Sequence, residues 1–388
     1  MSSLPTVPDE QIARLQADGY DMVLEGGHLV VRRLAYVGPS GLRTDGRLVL
    51  PVTHIGGVVT DVSGDHRIWF AGEEPRDDRG GVLGGGGQAH GFGNREVADF
   101  MLSFKPPSGV YACLSDKIRQ YARILLSAAR QIDSAVTDTP GGSFQVVPDD
   151  LPLVYPDTNA TRAGLVDLNT LFRGHTIAIV GVGGTGSFIL DHVAKTWVDR
   201  IILIDGDRFE THNAYRAPGA AAEETVQSMP NKAAYFAQQY SRMHKGVTAH
   251  PVALAEDNLQ LLEGATFVFL AAADAEVRPE IMRWLRDKGV PFIDVGMSFR
   301  EGAGGLTGIA KVTAYLPGDE IELPTAPALA PGEDDYSSNV QIAELNALNA
   351  ALAVIQWKRY LGFFATHTAC NQTVYKLYLN ELRNGNVE

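Results

Sequence analysis

Apolar residues follow two different rhythms along the chain. In the first part they form short β-rich runs, "HLVVRRLAYV", "GRLVLPV" and "HRIWFAG", separated by Gly, Pro and Asp clusters that read as turns. A longer run, "LSDKIRQYARILLSAARQI", has helical spacing, so a small mixed α+β unit is predicted. Between these, "RGGVLGGGGQAHGFGN" at residues 79–94 holds too many glycines for regular structure. It reads as a mobile surface loop, with His90 exposed rather than catalytic.

The stretch "SAVTDTPGGSFQVVPDDLPLVYPDTNATRAG" is rich in Pro, Gly, Asp and Thr and places a domain boundary near residue 150, dividing residues 1–150 from residues 151–388. Beyond it the rhythm changes. "TIAIVG", "RIILID", "TFVFLA" and "PFIDVG" are apolar runs alternating with helical segments, the pattern of a parallel sheet covered on both faces. In "SNVQIAELNALNAALAVIQWKRYLGF", Leu345, Leu348, Leu352 and Ile355 form one helical stripe suited to core or dimer packing.

The first of these strands runs into "GVGGTG" and then a helix. Gly181 permits a tight turn, Gly183 and Gly184 let main-chain N–H groups approach a phosphate, and Gly186 brings helix and strand close. Asp205 closes the next strand 24 residues after Gly181, near where a ribose-binding acid belongs. Strand, turn, helix and acid together indicate a Rossmann-type nucleotide site.

Composition narrows the partners. Against 46 Asp and Glu stand 33 Lys and Arg, a net charge of -13, which argues against a surface that neutralises nucleic-acid phosphates. Two cysteines in 388 residues form no disulfide framework and suit a reducing compartment. The start, "MSSLPTVPDEQIARL", lacks a signal-peptide pattern, and no apolar stretch of about 18 residues is present. The expectation is a cytoplasmic protein with neither nucleic acid nor membrane as partner.

The residues after Asp205 carry a more specific pattern. In "DGDRFETHNAYRAPG", Asp205, Asp207, Asn213 and Arg216 form a D-x-D...N-x-x-R arrangement. Lys232 comes next in "MPNKAAYFAQQY", Asp274 and Arg278 in "LAAADAEVRPEIMRWL", and Arg162 stands upstream in "TRAGLVDLNTLFRGHTIAIVG". Over about residues 155 to 316 this ordered set resembles the ThiF/MoeB family, whose adenylation fold is shared with ubiquitin-activating enzymes. The family's usual Ser-Asn-Leu-x-Arg is replaced here by Thr-His-Asn-Ala-Tyr-Arg, which keeps the Asn-to-Arg spacing.

The resemblance implies an α/β fold: a Rossmann-like parallel-sheet adenylation domain of the ThiF/MoeB type, preceded by a smaller α+β N-terminal domain. It implies magnesium ATP as co-substrate and a homodimer. Asp205 would accept hydrogen bonds from the ribose hydroxyls, and Asn213 and Arg216 would hold phosphate oxygens. Lys232 would stabilise charge at the α-phosphate, Asp274 would ligate magnesium, and Arg162 would cross to the nucleotide of the partner subunit. Each position also has a structural alternative: Asp205 and Asp207 as turn formers, Asp274 as a helix cap, and Arg162, Arg216 and Lys232 as ordinary charges.

The features surrounding "HNAYRAPGA" and "YSSNVQIAELNALNAALAVIQWK" resemble the bacterial group found in ubiquitin-like operons, which implies adenylation of the C-terminal carboxylate of a ubiquitin-like protein. The rivals are adenylation of a small-molecule carboxylate, sulfur-carrier protein or tRNA substrate, a NAD-dependent oxidoreductase, and a non-enzymatic scaffold. The loop "YLPGDEIELPTAPALAPGEDDYSSN" contains neither a cysteine nor paired zinc ligands, so no structural zinc is expected. Cys370 reads as a small hydrophobe rather than a nucleophile. Direct transfer to an acceptor, acylation of Ser337, Ser338 or Thr325, and recruitment of a ubiquitin-conjugating-enzyme-like protein by the N-terminal unit all stay open.

Overall fold

The computed structural model describes residues 9–386 apart from 56–57, 85–88, 94–95, 149, 156, 272–276, 303, 320, 324–339 and 368–369, and only the backbone at 54–55, 158, 161 and 162. The chain forms two units, Met1–Asp150 with Pro156–Asp167, and Leu151–Tyr155 with Leu168–Glu388.

The first unit opens with α1 (Glu10–Ala17), β1 (Asp21–Glu25), β2 (His28–Gly38), β3 (Gly41–Ile55), β4 (Val58–Asp61) and β5 (Arg67–Ala71). It continues with β6 (His90–Phe92), β7 (Glu96–Ala98), β8 (Phe100–Ser103), α2 (Leu114–Ile132) and β9 (Ser143–Val146). The strands make a sheet in the order β8-β5-β3-β2-β1-β9, with β4 added on β3. Alternation along β2 and β3 sends Leu29, Val31, Leu48 and Leu50 into one core with Ile118, Tyr121 and Leu125 of α2. Val23, Val30 and Val49 point the other way, into a second cluster with Phe92 and Ala98 of the β6–β7 hairpin.

That hairpin corrects the expectation of an exposed His90 in a structureless loop. His90 pairs in register with Ala98, stacks on Trp69 at 4.2 Å between ring centroids and turns Nε2 to His28 Nε2 at 3.0 Å. Phe92 and Ala98 give the β6–β7 hairpin apolar surface to pack.

Helices α3 (Thr158–Ala163) and α4 (Val166–Asn169) come next. The second unit then runs β10 (Thr176–Val180), α5 (Gly184–Val193), β11 (Arg200–Ile204), α6 (Thr211–Ala214), α7 (Glu223–Ser228), α8 (Lys232–Tyr240), β12 (Val247–His250) and β13 (Phe267–Leu270). It ends with α9 (Arg278–Asp287), β14 (Phe292–Gly302), β15 (Gly305–Tyr315), α10 (Ala343–Tyr360), β16 (Gln372–Lys376) and β17 (Glu381–Gly385). The sheet order is β12-β11-β10-β13-β14-β15-β16-β17. Strands β12 to β14 are mutually parallel, and β15, β16 and β17 extend the sheet antiparallel.

Every residue of β10 and of β13 is buried, as strands covered on both faces require. From β10 the chain moves to β11 and β12 on one side and returns to β13 on the other. The carboxyl ends of β10 and β13 are therefore a topological switch point, where open α/β sheets bind ligands.

Helix α10 packs on α5. Leu345 is buried, whereas Leu348 and Leu352 are half-buried and Ile355 is exposed. The buried face runs through Asn346, Asn349, Ala350, Ala353, Val354 and Trp357. The amide of Asn346 fits against the glycine end of α5, where a Cβ on Gly184 would collide with it, and Leu348, Leu352 and Ile355 lie outside the buried face. Among the described residues no helix is long and apolar enough to cross a membrane.

Candidate nucleotide site

The glycine turn arises from local sterics. Gly181 sits at φ +82°, a conformation that disfavours residues with a Cβ. A Cβ on Gly186 would overlap the Gly181 carbonyl, lying 2.9 Å from its carbon and 3.1 Å from Ala271 Cβ. Gly183 is different: a Cβ there would meet nothing within 4 Å, which leaves the N-terminus of α5 open. The turn is anchored to its neighbours by Gly181 N–H donating to Ile204 O at 2.8 Å and Ala271 N–H to Val180 O at 2.9 Å.

Asp205 supports this turn directly. One carboxylate oxygen accepts the Val182 N–H at 2.7 Å and the other accepts the Asp207 N–H at 2.9 Å. Burial pushes the Asp205 carboxyl above its ordinary value, opposed by those two N–H groups and by the Lys232 charge. Each oxygen keeps a further lone pair for an outside donor.

Asp207 and Lys232 pair across the turn. Lys232 Nζ donates to Asp207 Oδ2 at 2.7 Å, with the lysine side chain 9% exposed and the aspartate 76%. The ammonium is thus presented from a buried stem beside an exposed carboxylate. Asn231 caps α8 by accepting the Ala234 N–H at 3.0 Å, and its amide donates to the carbonyls of Asp205 at 2.8 Å and Asp207 at 3.1 Å. An Asn directly before a helical run is a cap signal in sequence, but its second task of gripping the acidic turn is not.

The Asn213–Arg216 segment brings unmet hydrogen-bonding capacity. Asn213 is buried, and its side-chain oxygen accepts the Glu210 N–H at 2.8 Å. Its Nδ2 and the Arg216 Nε are both buried with no hydrogen-bond partner. Burial also pushes the Arg216 guanidinium below its ordinary value, though an arginine stays charged at neutral pH. Two buried unpaired donors on one short segment, one of them cationic, are an anion's complement.

Asn346, missed in the sequence, joins the glycine turn to this segment. It accepts the Thr185 hydroxyl at 3.0 Å and donates to the Arg216 carbonyl at 3.3 Å. Arg278, first residue of α9, is held by Asp294 through Nε at 2.7 Å and by the Val295 carbonyl at 3.1 Å. Its sequence neighbour Asp274 lies outside the described residues, as do Thr325, Ser337 and Ser338. Among the described residues no group of three or more His, Cys, Asp or Glu is arranged to hold a metal.

Arg162 lies on α3, within the first unit, and its side chain is outside the described residues. Cys370 precedes β16. The Ala314 N–H donates to Asn371 O at 2.7 Å beside Cys370, and strands β13, β14 and β15 lie between β16 and β10, the strand that runs into the glycine turn.

Family models match both parts of the chain: a domain of unknown function (DUF6791) over residues 10–158 and the ThiF family over residues 157–383. Over 58 residues the chain is 40% identical to the tRNA threonylcarbamoyladenosine dehydratase of Bacillus subtilis (strain 168), a match covering 15% of this chain and 22% of that relative's length. Among solved structures, E. coli MccB with ATP aligns at TM-score 0.48 and 17% identity, covering 59% of this chain and 71% of that one. PaaA aligns at TM-score 0.47 and 17% identity, covering 57% and 76%. With more than half of its residues matched by that model, the chain belongs to the ThiF family.

Proposed function

We propose that this ThiF-family chain is an ATP-dependent adenylyltransferase that activates the C-terminal carboxylate of a ubiquitin-like protein. The observation that carries the reading is the pair of buried, unpartnered donors, Asn213 Nδ2 and Arg216 Nε, on a segment tied to the glycine turn. Hydride transfer has no need of this pair or of Lys232, whereas charge developing at an α-phosphate has.

In this reading the open N-terminus of α5 and the glycine turn receive phosphate oxygens, and Asp205 offers its free lone pairs to the ribose hydroxyls. Asn213 and Arg216 hold the α- and β-phosphate oxygens. A carboxylate oxygen of the substrate attacks the α-phosphorus, the bond from that phosphorus to the bridging oxygen breaks, and pyrophosphate leaves with the electron pair. Lys232, released from Asp207, stabilises the added negative charge at the α-phosphate. Asp274 would hold the magnesium ion that neutralises pyrophosphate.

The acceptor of the acyl group is the open part of the reading. The three strands between β10, which runs into the glycine turn, and β16, which Cys370 precedes, favour transfer without a cysteine. Direct hand-over, a hydroxyl at Ser337, Ser338 or Thr325, and a ubiquitin-conjugating-enzyme-like partner brought by the first unit fit equally. A homodimer with Arg162 reaching the partner subunit's nucleotide belongs to the same proposal.

The short match to a tRNA-modifying dehydratase gives a second reading, adenylation on tRNA, against which the net charge of -13 stands. Incubation with magnesium ATP and either a ubiquitin-like protein or tRNA separates the two. The proposal expects an acyl adenylate on the protein's C-terminus by intact mass; AMP transferred to tRNA alone would overturn the substrate assignment.

A further inference from the structure

Among the buried polar side chains of the second unit, Asn346 is fully buried in α10 and directs both ends of its amide to elements of the nucleotide site. Burying an amide is costly unless its groups are bonded, and an aliphatic residue would fill a helix–helix contact without that cost. The Thr185 hydroxyl, in the first turn of α5, donates to Oδ1, and Nδ2 donates to the main-chain carbonyl of Arg216.

The seat for this amide is made by an absent side chain. A Cβ on Gly184 would fall 2.5 Å from Asn346 Cγ and 2.6 Å from its Oδ1. Gly184 therefore has a role beyond phosphate approach: it admits Asn346 between the glycine turn and the Arg216 segment.

We propose that Asn346 is a positioning residue that fixes the Arg216 segment against the glycine turn, and so sets the separation between the turn's N–H groups and the Arg216 guanidinium. The inference rests on the nucleotide-binding reading of this site. In this proposal Asn346 needs no contact with substrate. It acts through the Arg216 main chain, and without it the unpaired Nε would not be held where a phosphate arrives.

The test is a double-mutant cycle on ATP affinity in the full chain, using Asn346→Asp, Arg216→Ala and the double variant, with thermal unfolding of each. Asp has the shape of Asn and keeps the acceptor for Thr185, but offers no donor to the Arg216 carbonyl. Loss of one such bond is expected to weaken ATP binding about 10-fold with Arg216 present, and less than about 2-fold in the Arg216→Ala background. If Asn346→Asp fails to fold, Asn346→Ser takes its place in the same cycle.

Equal losses in both backgrounds would make Asn346 a packing residue and overturn the inference, as would an affinity unchanged by Asn346→Asp while Arg216→Ala lowers it. Failure of the parent chain to bind ATP would instead overturn the nucleotide reading itself.

Discussion

Replacing Asp205 by Asn measures how much of the site depends on a single carboxylate. Two main-chain N–H groups converge on its two different oxygens, from Val182 at 2.7 Å and from Asp207 at 2.9 Å. An amide offers only one oxygen, so whichever way it turns, its NH2 faces one of the two N–H groups. One hydrogen bond to a charged acceptor is lost, worth about 1.5–3 kcal/mol, and the other falls to neutral strength. Removing a charge from a site where burial already disfavours ionisation returns part of this. The net loss expected is about 2 kcal/mol, or roughly 4–8 °C in melting temperature for a unit of this size. If Val182 is the group left unpaired, the turn loosens and ATP affinity drops about tenfold or more. Calorimetry without nucleotide and an ATP titration read the two effects. An Asp205→Asn chain melting within about 1 °C of the parent and binding ATP equally well would refute the assignment of Asp205 as the support of the turn.

Arg216→Ala should lower adenylation by about 10²-fold or more without changing the melting temperature, because the Nε makes no bond inside the protein; pyrophosphate exchange and calorimetry check it. Cys370→Ala should leave adenylate formation unchanged in the same exchange assay, and its loss would bring the cysteine back as a nucleophile. A pH effect is expected from His244, which is fully buried, bonded through Nε2 to Val198 O at 2.8 Å and accepting the Gly246 N–H on Nδ1 at 3.0 Å. That pattern fixes the neutral ring, and burial pushes its pKa below the ordinary 6.5. Between the lowered folded value and 6.5 the unfolded chain holds the extra proton, so stability should fall as pH drops below 6.5. Thermal unfolding across that window should show the slope in the parent and a shallower one in His244→Gln.

The features readable from the sequence were those that depend on neighbours in the chain. Gly181 must adopt a positive φ and Gly186 must lack a side chain for the turn to close, so strand, turn and helix were recognisable together. The same holds for β11 running into Asp205 and for the α+β character of the first unit. Residues whose role is set by distant packing were not legible. Asn346 lies 161 residues after Thr185 and looks like any helical amide until α10 is laid on α5. The face of α10 that is buried within the chain is likewise set by distant packing: it runs through Asn346, Asn349, Ala350, Ala353, Val354 and Trp357, and of the leucine stripe only Leu345 is buried. Strands β15 to β17 extend the sheet antiparallel, and the pairing of β15 with β16 across the long connection that holds α10 is announced by no local pattern.

The most direct test of the central claim is ATP–pyrophosphate exchange by the full chain with magnesium, in the presence of a ubiquitin-like protein bearing either a free or an amidated C-terminus. Adenylation of that carboxylate predicts exchange with the free C-terminus and none with the amidated form or with the protein omitted. Equal exchange in all three mixtures, or none in any despite ATP binding, would contradict it.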